Sequence, residues 1–159
     1  MKKYEFTGET KEIRLLFRTA TLHRIRATVA FGIVEVGDLG GWIEKEENLS
    51  HEGKAWVCGD AEVWGNAKVC GDAEVFSASH VLVIGAIGSR NDFTTFYRDK
   101  DNEITVKCGC FLGKIDRFLE KVTQTHGDSK YALVYRAAVE VAKLQIDLSG
   151  EAPKDADEE

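Results

Sequence analysis

The sequence predicts a mainly β protein with an α-helical C-terminus, built around a short parallel β-helix. Three observations carry that expectation. Residues 53–82 repeat with a period of six. The segments flanking the repeat alternate apolar and polar residues as strands do, and from residue 115 the apolar spacing becomes that of a helix. One domain is expected over 1–150, with strands over 1–42, coils over 43–84, a strand and loop segment over 85–112 and a helical pair over 113–147.

In chain order, LHRIRATVAFGIVEV at 22–36 alternates well enough for one or two strands. Gly37, Gly40 and Gly41 punctuate the approach to the repeat, and Trp42 and Ile43 are expected to plug its open end. His23, Arg24 and Arg26 could face a ligand, but charges on the solvent side of a strand are the commoner meaning of this pattern.

Cut at six from Gly53, the repeat reads GKAWVC, GDAEVW, GNAKVC, GDAEVF and a degraded SASHVL. Ala55, Ala61, Ala67 and Ala73 form one column, and Val57, Val63, Val69, Val75 and Val81 form another. Glycine followed by Asp or Asn is turn chemistry that tolerates positive φ. A glycine in every hexad excludes an α-helix. Three hexads, about 18 residues, would complete one rung, with equivalent side chains stacked on the next. The residue after each valine is apolar too: Cys58, Trp64, Cys70, Phe76 and Leu82. This outward column needs cover, for which the C-terminal helices or another subunit are the candidates. Five hexads are too few to be stable alone, so flanking elements or symmetric assembly must cap them.

These units resemble the left-handed β-helix of the hexapeptide-repeat superfamily, best known from acyltransferases. They depart from its usual form in placing glycine two residues after the aliphatic position, as in Val63-Trp64-Gly65. The GNAxV and GDAxV variant resembles a group of uncharacterised bacterial and phage proteins, a likeness extending through GDLGGWIEKEENLS at 37–50 into the C-terminal segment. The resemblance implies a short left-handed parallel β-helix and a homotrimer.

After the repeat, VLVIGAIGSRNDFTTFYRDKDNEITVKCGCF predicts two strands around a glycine-bearing turn and a third strand beyond KDNE. Here lie the candidate ligand-binding residues Ser89, Arg90, Asn91, Asp92, Thr94 and Thr95, with Arg98 as a second positive charge. Guanidinium, amide and hydroxyl groups near a glycine can grip phosphate or ribose. The same residues also suit an Asx-turn with a structural salt bridge at Arg90. Ile115, Phe118, Leu119 and Val122 then predict a helix ended by Gly127. A second helix is expected over 129–146, with Tyr131, Val134, Tyr135, Ala138 and Ala142 on one face. His126 suits the carbonyl end of the first helix.

The formal charge of −6 argues against binding along a DNA or RNA backbone. Five acids and one lysine in 151–159 contribute −4, leaving −2 for the body and room for a local basic pocket. That terminal segment reads as a disordered, solubilising acidic tail. The apolar runs are too short for a membrane span, and the N-terminus turns polar where a signal peptide would be apolar, so a cytosolic protein without membrane association is expected. Cys58, Cys70, Cys108 and Cys110 lack metal-ligand spacing and are expected to be free thiols. No cofactor motif and no catalytic residue is assigned.

Three functions fit these features. One is a non-catalytic protein that captures a nucleotide-like ligand in inter-subunit pockets; the phage resemblance extends this to a sponge for a signalling nucleotide of antiphage defence. Another is an acyltransferase, with His51 or His80 as the base near the coils. The third is a purely structural trimerisation protein.

Overall fold

The structure is a computed structural model describing residues 2–149, and the tail expected at 151–159 lies outside them. The chain opens with an antiparallel hairpin of β1 (Tyr4–Arg14) and β2 (Thr19–Ala27). Ala20, Leu22, Ile25 and Ala27 of β2 are buried, whereas β1 is largely solvated and anchored by the buried Tyr4. Tyr4 donates its phenolic proton to the carbonyl of Leu49 at 2.6 Å, tying the hairpin to the repeat. β3 (Leu39–Ile43) pairs antiparallel with β2.

The repeat contributes three strands of two residues each: β4 (Trp56–Val57), β5 (Glu62–Val63) and β6 (Glu74–Val75). All pair in parallel, β3 with β5 and β4 with β6, and a bridge joins Leu49 to Val69. The alanine and valine columns at 55–75 point inward, with every member at most 4% exposed. Gly53, Gly59, Gly65 and Gly71 turn the corners at φ between 62° and 72°, where a side chain would be strained.

The expected left-handed parallel β-helix is nevertheless not the fold. Parallel pairing is confined to these short ladders, and the two larger sheets come from the flanks. One is mixed, in the order β1-β2-β3-β5; the other is the antiparallel β10-β9-β8-β7. The reason lies in strand length. A two-residue strand offers few ladder bonds, whereas the flanking hairpins are built from strands of seven to eleven residues and carry most of the sheet.

The antiparallel sheet comprises β7 (Val81–Ile87), β8 (Asp92–Arg98), β9 (Ile104–Cys108) and β10 (Phe111–Lys114). Two helices follow, α1 (Ile115–His126) and α2 (Lys130–Gln145). Gly127 ends α1 at φ 58°, its amide donating to the carbonyl of Thr123. The helices, offered as one cover for the apolar column of the repeat, do not roof it, because the sheet stands between them. Tyr97 of β8 joins the core built on the hexads, while its neighbour Phe96 joins the core under the helices. Apolar alternation on both faces makes β7–β10 a middle layer. Each of these fully buried rings stabilises the fold by about 2–3 kcal/mol. Trp42 and Ile43 lie alongside β5, with Ile43 in the hexad core. No helix of the described residues is long and apolar enough to cross a membrane.

Candidate functional site

The residues singled out in 89–98 are dispersed along a hairpin. Ser89, Arg90, Asn91 and Asp92 are exposed at the β7–β8 turn, where Asn91 takes φ 48°. Arg90 lies beside Gly109, and Gly88 sits against the phenol of Tyr135 on α2. Thr94 is buried towards the helices and donates to Cys108 Sγ at 3.4 Å. Thr95 is buried towards the repeat and accepts the Lys68 amide at 3.0 Å. The six steps from Asp92 to Arg98 span about 20 Å, so Arg90 and Arg98 cannot grip one small ligand.

Arg98 is 2% exposed and has become part of the core. Its Nε donates to the Glu74 carbonyl at 3.1 Å, and its guanidinium lies 5.2 Å from the Phe76 ring centroid. Burial pulls its affinity for protons below that of an ordinary arginine, against the nearby Glu74. The histidines are likewise engaged in structure. His51 Nδ1 accepts the Lys3 amide and His80 Nδ1 accepts the Phe76 amide, both at 3.2 Å. Burial lowers the pKa of each imidazole. His126 ends α1 and stacks on Tyr135. All four cysteines are free; burial pushes the Cys58 thiol up to about 12.

A cleft of about 510 Å³ opens between the second and third hexads, the β1–β2 turn and β7. Its apolar wall includes Trp64, Val81, Val83 and Phe93, and its polar rim includes Arg18, Glu62 and Asn66. Trp64 remains 41% exposed, one of the few large aromatic faces left open. Its position follows from the repeat, which turns Val63 inward and the next side chain out. Arg18 is held at the rim by a two-pronged pair with Glu44, which also accepts the Gly65 amide at 2.9 Å. The Arg18 hydrogen bond, helped by that amide, holds the Glu44 carboxyl down at about 2. Glu62 is paired with Lys11 at 2.7 Å.

Asn66 and Phe93 also line a smaller notch of about 90 Å³, shared with Lys68, Asp92, Thr95, Lys107 and Gly109. Of the residues expected to bind ligand, Asp92 and Thr95 are the two that meet there. Trp64, Asn66, Lys68, Phe93 and Lys107 are the functional candidates that reading for a ligand loop misses. A signal for two of them stands in the repeat. The second and fourth hexads carry an acid in each of two columns, Asp60 with Glu62 and Asp72 with Glu74, whereas the third, which faces the notch, carries Asn66 and Lys68 there; the first hexad, with Lys54 and Trp56, also lacks both acids.

No known protein family matches this chain, and no curated protein is significantly similar to it.

Proposed function

We propose that the protein is a non-catalytic binder that captures a nucleotide-like ligand in the cleft between the repeat and β7. The cleft itself carries the reading. At about 510 Å³ it falls in the range of small-ligand sites, and it combines an open indole and a phenyl ring with hydrogen-bonding and cationic groups at one end. Base stacking on an aromatic face is worth about 1–3 kcal/mol. Glu62 and the Glu44 that steadies Arg18 are both committed to ion pairs, which suits holding a ligand rather than moving its protons. Acyl transfer has less support, because each candidate histidine base already spends its Nδ1 lone pair on a backbone amide. We infer a cytosolic setting, where the four free thiols stay reduced.

The test is retention. The protein is incubated with ADP-ribose and with cyclic dinucleotides, freed of unbound ligand, denatured, and the supernatant analysed by mass spectrometry. Unchanged ligand released in near-stoichiometric amount supports capture, as a sponge would require. A chemically altered product makes the protein an enzyme, and no retention of any member overturns the reading. Trp64→Ala is expected to weaken retention roughly tenfold or more.

Self-association is a second part of the proposal. Leu133, Val141 and Leu144 leave an apolar stripe on the outer face of α2, with Leu144 89% exposed. Light scattering at the chromatographic peak reads the subunit count, and a monomer throughout removes this part.

A further inference from the structure

We infer that the notch beside the cleft is a phosphate subsite, with Lys68 and Lys107 as the side chains that read the ligand's charge. This deepens the proposed capture of a nucleotide-like molecule and rests on it for the rest of the ligand.

Size comes first. The notch of about 90 Å³ is the space of about three water molecules. One tetrahedral oxyanion is of that size. Charge comes next. Neither Lys68 nor Lys107 has a carboxylate within 4.0 Å among the described residues, so both ammonium groups are available to an anion. Asp92 opposes them with one carboxylate, whose Oδ1 is held by the Phe93 amide at 2.7 Å. Within the lining of the notch two lysines stand against one carboxylate, and the same two lysines border the neighbouring cavity lined by Glu46, Glu47 and Glu52.

A buried donor supplies the third observation. Thr95 is 1% exposed and takes the Lys68 amide on its oxygen, leaving its own hydroxyl proton with no acceptor among the described residues. A phosphate oxygen in the notch would accept it. The composition of the third hexad is consistent with this. The fold of the repeat needs a turn-former after glycine and a solvent-tolerant residue two places later, and Asp60 with Glu62 or Asp72 with Glu74 meets both needs. Asn66 and Lys68 meet these needs equally well, and they do so without placing negative charge where an anion would sit. Because Asn66 and Phe93 line both cavities, a phosphate in the notch directs the group esterified to it into the aromatic cleft.

Calorimetry on the full chain with adenosine, AMP and ribose 5-phosphate tests this. AMP is expected to bind at least tenfold more tightly than adenosine, and Lys68→Ala/Lys107→Ala to reduce that preference to less than twofold. Lys68→Arg/Lys107→Arg should keep it. The parent protein provides a second readout that needs no variant: across about 0.05 to 0.5 M salt, AMP binding should weaken and adenosine binding should not. Equal binding of AMP and adenosine overturns the phosphate subsite and leaves the cleft reading standing. A preference that survives the double alanine change, in protein melting like the parent, also overturns it. Ribose 5-phosphate binding as AMP does, with the same loss in the double variant, supports the subsite and overturns the nucleotide reading. If none of the three binds, both fall.

Discussion

Gly40→Ala adds one methyl group at the point where β3 crosses the first hexads. Its Cβ would lie 2.5 Å from Ile25 Cγ1, 2.7 Å from Trp56 Cζ2 and 2.7 Å from the Val57 carbonyl oxygen. Carbon atoms rest comfortably at about 3.5–4.0 Å, so the neighbours must retreat by roughly 1 Å. They have little room to do so: Ile25 is fully buried, Trp56 is 4% exposed, and the third atom is backbone. The φ of Gly40 lies outside the left-handed region, so the loss comes from contact rather than from backbone strain. The cost falls at the upper end of overpacking, about 3 kcal/mol. For a chain of this size that lowers Tm by roughly 6–12 °C. Differential scanning calorimetry measures it, and a double-mutant cycle with Trp56→Phe assigns the cause, since the smaller ring vacates the contested space. The double variant should lose less than the sum of the single losses by more than about 0.5 kcal/mol. Strict additivity, or a Gly40→Ala protein melting within about 2 °C of the parent, would refute the close-approach argument.

Three further outcomes follow from the same structure. Val63→Ala and Val75→Ala each empty a fully enclosed site and should cost about 2–3 kcal/mol, read as a lower urea midpoint at unchanged slope. Glu44 is held at about 2 in the fold against an ordinary 4.5, so its contribution is complete above about pH 4.5 and is lost as pH falls towards 2. Glu44→Gln should therefore flatten the loss of stability across that acid window, in urea melts at successive pH values, and should weaken ligand retention by loosening Arg18. Thiol labelling at pH 8 should modify the exposed Cys110 quickly and spare Cys58, whose thiol is buried and pushed up to about 12, until the protein unfolds.

Much of this fold can be read locally. The spacing of Ile115, Phe118 and Val122 with the stop at Gly127 predicts α1, and the alanine and valine columns predict the inward residues of the repeat. The hierarchy among sheets is not local. Six-residue periodicity shows which side chains point inward, but it does not show that hairpins pairing over many more residues will carry most of the hydrogen-bonded sheet. The destination of Arg98 is hidden for a similar reason: an arginine at a strand end ordinarily reaches solvent, and only the packing of Phe76 and β6 around it makes it a core residue. The cleft is partly legible. Trp64 follows from alternation and Lys68 from the charge reversal in its hexad, whereas Lys107 reaches the notch through the pairing of β9 with β8 opposite Thr95, a register no single segment encodes.

The placement of Tyr97 and Phe96 on opposite faces of one strand also bears on how the molecule comes apart. Neither hydrophobic cluster possesses a wall of its own on that side, so removing the helices would lay bare Phe96, Val106 and Ile104 on a sheet whose reverse face still seals the hexads. A partition that both compartments share turns two small cores into one melting unit. Amide exchange in the hexad core should then slow together with exchange in α1 when a ligand occupies the notch at Thr95, although the helices do not line it.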